Sequence, residues 1–108
     1  MKKETIYASI TKNQKTAISI IRVSGPKVQE ISKTFFKKEP VKRNVNIRKF
    51  FSSTGDFIDQ GIVLLFLKPN SPTGEDVLEF HVHGSFSIIK KIEDELLKIK
   101  GVREAEPG

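Results

Sequence analysis

Val77-Leu78-Glu79-Phe80-His81-Val82-His83, then Gly84-Ser85, then Phe86-Ser87-Ile88-Ile89-Lys90-Lys91-Ile92, changes its hydrophobic period part-way along. The first stretch alternates strictly. Leu78, Phe80 and Val82 take one face of a strand and Glu79, His81 and His83 the other. Beyond Ser85, Phe86, Ile89, Ile92, Leu96 and Ile99 recur at helical spacing and are expected to line one side of a helix. Gly101 follows where a helix C-cap glycine belongs. A strand feeding an amphipathic helix across a short turn makes this a mixed α and β chain.

Working outward, residues 57–67 form a long apolar strand. Ser53-Thr54-Gly55-Asp56 has turn composition, and Val45, Ile47 and Phe51 start the strand before it, so the two read as a hairpin. Residues 68–75 are a loop, and residues 40–46 a basic connection. Val28, Ile31 and Phe35 put a second amphipathic helix over residues 27–36, with Ser24 the candidate cap before Gly25-Pro26. Residues 17–23 are almost continuously apolar and β-branched, which predicts a central strand covered on both faces. Residues 5–10 alternate as a short strand, residues 12–15 are a polar turn, and residues 102–106 are an edge strand. The simplest packing is α+β: a single mixed β-sheet with two main helices.

The 108 residues suffice for one domain. Cysteine is absent, which excludes disulfides and thiolate metal sites and fits a reducing, cytoplasmic setting. Nothing approaches the roughly 18 apolar residues of a membrane span, and the first residues lack a signal peptide's apolar core. The net charge is +6, mostly from lysine, with a local cluster at Lys37, Lys38, Lys42, Arg43, Arg48 and Lys49. Scattered lysines mark an ordinary soluble surface, whereas a cluster fits a polyanion such as RNA.

Two positions stand out chemically. Arg22 interrupts the apolar run and shares a face with Ile18 and Ile20. A charge at a covered strand position needs a partner. It either reaches solvent or a structural carboxylate, or it grips an anionic ligand through paired N–H donors. Glu79, His81 and His83 form an E-x-H-x-H strand. Such a face is either solvated, a metal site, or, through Glu79, an acceptor for two adjacent N–H donors of the kind a pterin or guanine edge presents. Alternation produces the pattern cheaply, so no metal ligand is expected, and nothing in the spacing of Ser, His and Asp indicates a catalytic triad. Ser71-Pro72-Thr73-Gly74-Glu75-Asp76 lacks the lysine and glycine spacing of a phosphate loop.

These stretches together resemble the tRNA-modification GTPase family MnmE (TrmE). Glu4-Thr5-Ile6-Tyr7-Ala8 and Ile18-Ser19-Ile20-Ile21-Arg22-Val23-Ser24-Gly25 resemble its D-T-I-x-A … I-x-I-x-R-x-S-G opening. Asp59-Gln60-Gly61 matches the second block. Residues 69–79, from Pro69 to Glu79, resemble P-x-S-x-T-G-E-D-x-x-E, and His83-Gly84 the H-G that follows. Gly101, Arg103, Ala105, Pro107 and Gly108 resemble the stretch before the family's helical domain. The resemblance implies that residues 1–108 are the family's N-terminal domain. That domain is similar to the folate-binding domain of the glycine-cleavage T-protein, binds 5-formyltetrahydrofolate or a related reduced folate, and forms a homodimer. Arg22 and Glu79 fall on the family's folate-binding arginine and glutamate. A third folate residue, a lysine, belongs to the helical domain beyond this sequence. GTP, Mg2+ and K+ belong to the GTPase domain, also beyond it, and the flavoprotein MnmG (GidA) and tRNA are partners of the whole protein. No catalytic residue is expected in this stretch.

The sequence departs from the family at residues 12–16, which lack the usual glycines, at Pro72 in place of an aromatic residue, and at Ser85 in place of a second glycine. Side chains at Thr16 and Ser85 are expected to narrow the ligand site. The competing readings are a stand-alone basic RNA-binding module, which lacks aromatic RNP signatures, and a small acid–base enzyme using Glu79 and a histidine.

Overall fold

A computed structural model of the chain describes residues 4–10 and 17–106. The predicted turn at residues 12–15, and Thr16, lie outside the described residues. In chain order the elements are β1 (Thr5–Ser9), β2 (Ile18–Ser24), α1 (Val28–Phe35), β3 (Asn46–Phe51), β4 (Phe57–Phe66), β5 (Val77–His83), α2 (Phe86–Leu97) and β6 (Val102–Glu104). The strands form one mixed sheet in the order β3-β4-β5-β2-β1-β6. Neighbours are antiparallel except β1 and β6, which run parallel. The α+β reading therefore holds, with the hairpin β3–β4 and the edge strand β6 where the sequence put them.

Alternation decides which side the helices cover. Leu78, Phe80 and Val82 of β5, Ile21 and Val23 of β2, and Val63 and Leu65 of β4 are buried with Val28, Ile31 and Phe35 of α1 and Ile92 and Leu96 of α2. Phe80 lies at the centre of an aromatic cluster, with ring centroids 5.0 Å from Phe35, 5.7 Å from Phe36 and 5.4 Å from Phe50. These rings combine large apolar area with edge-on contacts from Phe35 and Phe50 and a stacked one from Phe36, so they anchor the core.

Four expectations need correction. β2 is central but covered on one face only: Ile18 is 54% exposed and Arg22 half-buried, because both helices pack against the opposite face. Phe86 is 81% exposed. At 3.6 residues per turn it points about 120° away from the stripe of Ile92, Leu96 and Ile99. Ser24 does not cap α1. Lys27 takes that position, and its N–H donates to Thr5 Oγ1 at 2.9 Å. The chain turns at Gly25, at φ +141°, where a Cβ would lie 2.6 Å from Thr5 Cα. Gly101 has φ +90° but sits in the turn into β6, beyond the C-cap Lys98.

Candidate functional site

The uncovered face of the sheet carries the two residues singled out by their chemistry. Register places Arg22 of β2 opposite Glu79 of β5, with Leu64 of β4 beside Glu79 and Ala8 of β1 beside Arg22. The next row runs Ile47, Ile62, His81, Ile20. An ion pair, with His81 in the next row, thus lies among mostly apolar neighbours.

Arg22 Nε donates to Glu79 Oε2 at 2.7 Å, and Nη2 lies 2.6 Å from the same oxygen as an ion pair. His81 Nε2 donates to Glu79 Oε1 at 3.2 Å. The Glu79 side chain is 9% exposed, so burial demands these partners. Both carboxylate oxygens are engaged, yet Oε1, with His81 as its hydrogen-bond partner, keeps acceptor capacity. The guanidinium binds one oxygen through two nitrogens and leaves other N–H groups facing outward.

Beside Arg22, a groove of about 260 Å³ runs between β1 and the 68–76 loop, lined by Ile6, Ala8, Ile10, Ser24, Thr73 and Glu75. Ser24 Oγ lies 2.8 Å from Thr73 Oγ1 and donates to Glu75 Oε2 at 3.2 Å, which ties the loop to β2. Asp76 holds the loop's other end, accepting from Lys68 N at 2.9 Å and from Gln29 Nε2 at 3.3 Å. Tyr7, between Ile6 and Ala8 on β1, turns its side chain to the opposite, core face. Burial, and then the carboxylates of Glu93, Glu104 and Asp94, push its phenol up to about 12, so it remains a neutral hydroxyl. The groove is smaller than the roughly 300 Å³ at which pockets begin to enclose a small ligand. It can seat one end of a cofactor-sized molecule.

The E-x-H-x-H strand does not act as a unit. Glu79 and His81 join Arg22, whereas His83 turns to Asp59 of β4. His83 Nδ1 lies 2.9 Å from Asp59 Oδ1, and the His83 backbone N–H donates to Oδ2 at 3.0 Å. Burial alone would raise the Asp59 carboxyl. The His83 and Gln60 backbone N–H groups and the His83 ring outweigh it and hold the carboxyl below its ordinary value. Among the described residues no three His, Cys, Asp or Glu side chains converge as metal ligands. Asp59 replaces the backbone ladder where β4 and β5 separate. Gly61 marks their last close approach: a Cβ there would lie 2.1 Å from the His81 carbonyl oxygen. The Asp59-Gln60-Gly61 block is thus a strand-end clasp, a role that spacing alone did not suggest.

Ser24, Thr73 and Glu75 were missed as neighbours of Arg22. Ser24 read as a cap and the loop as a turn, and only the fold brings them together. No helix among the described residues is long and apolar enough to cross a membrane.

Residues 5–108 match the family model described as the GTP-binding protein TrmE N-terminus. The tRNA modification GTPase MnmE of Wigglesworthia glossinidia brevipalpis is 46% identical over 107 residues, which is 99% of this chain and 24% of that protein. The same-named protein of Mannheimia succiniciproducens is 44% identical over 108 residues, 100% of this chain and 24% of that one. That of Baumannia cicadellinicola is 39% identical over 105 residues, 97% of this chain and 23% of that one. The chain spans about a quarter of the length of these curated relatives.

Proposed function

The chain belongs to the TrmE N-terminal family, and from that premise we propose that residues 1–108 are the cofactor-binding and dimerisation domain of a tRNA-modification GTPase. In this reading it binds 5-formyltetrahydrofolate or a related reduced folate through Glu79 and Arg22, on a fold akin to the glycine-cleavage T-protein's folate-binding domain. It performs no chemistry by itself. GTP hydrolysis with Mg2+ and K+, and work with the flavoprotein MnmG on tRNA in the cytoplasm, belong to the whole protein.

The observation that carries the reading is the Arg22–Glu79 pair, held at 2.6 Å in an apolar row beside a groove. A pterin edge with two adjacent N–H donors needs an acceptor on each carboxylate oxygen. Oε1 has that capacity, and Oε2, with one hydrogen bond from Arg22 Nε, gains room for a second when Nη2 moves aside. The half-exposed guanidinium is then available to an oxygen of the ligand. The groove is too small to enclose a whole folate, which favours a site completed by a second copy or by the helical domain.

Dimerisation finds support on the same face. Ile10, Ile18, Ile47 and Ile62 are 37–65% exposed there. Contiguous apolar surface of this kind marks an interaction site, and an isologous pair would bury the same residues twice.

Calorimetric titration of the chain with millimolar 5-formyltetrahydrofolate tests the cofactor reading. Binding should be weak, because the helical domain's lysine is not part of this sequence. One charge-assisted contact is worth about 1.5–3 kcal/mol, or roughly ten- to a hundredfold in affinity. No heat at millimolar ligand would refute a competent site in this chain.

A further inference from the structure

The net charge is not scattered. Residues 37–49 hold six cations, Lys37, Lys38, Lys42, Arg43, Arg48 and Lys49, against one acid, Glu39, and so carry +5 of the chain's +6. They occupy the α1–β3 connection and β3, the outermost strand of the sheet. β3 lies three strands from β2 and its Arg22, about 14 Å at ordinary strand spacing.

The segment is built to hold a shape. The Asn46 side chain is buried, accepts from Val41 N at 2.9 Å, and donates to the carbonyls of Val41, Asn44 and Val63 at 2.9, 3.0 and 3.2 Å. Arg48 clasps the connection from β3 by donating to the carbonyls of Lys38 and Glu39 at 3.1 and 3.2 Å. Arg43 N donates to the Leu65 carbonyl at 2.9 Å while the residue sits at φ 64°, a conformation glycine or asparagine adopts more readily. Lys38, Lys42, Arg43 and Lys49 are exposed, and among the described residues none forms an ion pair. Lys37 Nζ lies 4.3 Å over the Phe51 ring, and Phe51 packs against Phe57, which is 56% exposed. A line of unpaired cations therefore ends at an exposed aromatic ring.

We infer that residues 37–49 form an RNA-contacting surface, in which Lys38, Lys42, Arg43 and Lys49 take phosphate oxygens and Phe57 offers a face to an unpaired base. A membrane surface fits less well. The apolar side of the neighbouring helix α1 is spent in the core, so the cations lack an apolar face that could enter a bilayer. The choice of RNA among polyanions rests on the tRNA-modification reading above, but the surface is separate from the folate site.

Fluorescence anisotropy of a labelled RNA stem-loop titrated with the 108-residue chain, between roughly 50 and 200 mM KCl, tests this. Four phosphate contacts give a slope of log Kd against log salt of about 3–4. K38Q/K42Q/K49Q should lower that slope by about 2–3, whereas the charge-matched K68Q/K91Q/K100Q should change it by less than about one. R43G relieves the backbone, so it should keep the circular dichroism and melting of the parent while lowering the slope by about one. The inference is overturned by absent RNA binding, by equal losses in the two triple variants, or by tighter binding to polyglutamate or to phosphatidylglycerol vesicles. K38Q/K42Q/K49Q should titrate with 5-formyltetrahydrofolate as the parent does. RNA binding without any folate heat in the parent would leave this surface standing and remove the folate reading alone.

Discussion

Replacing Glu79 by glutamine separates the carboxylate's part in the fold from its proposed part in binding. In the free chain Oε2 accepts from Arg22 Nε and is ion-paired to Nη2, and Oε1 accepts from His81. Glutamine keeps one acceptor for Arg22 and turns its NH2 group to His81, whose Nε2 accepts in the other tautomer. The lost ion pair has a partner 39% exposed, so solvent screening limits its worth to about 1 kcal/mol. In a domain of this size that lowers Tm by about 4–8 °C, and the fold survives. The ligand fares worse. One pterin N–H would face a donor in a desolvated site, and a charge-assisted bond is gone as well. The combined cost is on the order of 3 kcal/mol, about a hundredfold in affinity. Calorimetry with millimolar 5-formyltetrahydrofolate should therefore show heat for the parent and none for Glu79→Gln, with both melting cooperatively. His81→Gln is the control, because a glutamine amide can still donate to Oε1, and its affinity should stay within about threefold. Parent-like binding by Glu79→Gln refutes the reasoning. So does an equal loss in both variants, which would indicate collapse of the face.

Gly61→Ala should destabilise by about 1–3 kcal/mol in urea denaturation, since its Cβ would lie 2.1 Å from the His81 carbonyl oxygen, whereas Gly55→Ala, with open space around it but a φ of +91°, should cost about 1 kcal/mol. Ile62→Lys, on the uncovered face, should keep the chain folded, with a modestly lower melt as the association is lost, and give a light-scattering mass of one 12.2 kDa copy where the parent is expected at about twice that. The carboxyls of Asp59 and Glu95 both lie below their ordinary values of 3.8 and 4.5; for Glu95, burial pushes upward but is outweighed by Lys98 and the Ser53 N–H. Their contribution to stability is therefore full above those ordinary values and lost as pH falls through them toward the lowered folded-state values, so Asp59→Asn/Glu95→Gln should flatten the acid limb of a urea-midpoint profile below about pH 4.5.

The elements legible in the sequence are those whose period is clean. β5 and α2 announce themselves through Leu78, Phe80 and Val82 and through Ile92 and Leu96, all of which point into the core. Arg22 and Glu79 were each legible as an oddity, and the family resemblance joined them. Their contact was not legible, because it depends on the register of β2 against β5, two strands 57 residues apart at that pair. Asp59 was harder still. Its carboxylate takes a ladder position that backbone would ordinarily fill, and no spacing rule signals such a replacement.

The misreading of β2 is the most informative of these. A nearly continuous apolar run predicts a strand covered on both faces, because apolar side chains are costly to leave in water. Ile18 and Ile20 obey that rule in composition, yet the chain's two helices both cover the other face. Propensity cannot account for the choice of isoleucine, since threonine is also favoured in strands and would suit an open face better. In the proposed reading a second copy supplies the cover that the two helices among the described residues do not. The same row pattern continues through Ile62 and Ile47 and surrounds the Arg22–Glu79 pair. Once that face is covered, water leaves the pair, and its hydrogen bonds become both stronger and more costly to mismatch. Dimerisation and cofactor recognition, in the proposed reading, are then coupled through one surface: Ile62→Lys should weaken folate binding as well as self-association, although the residue need not touch the ligand.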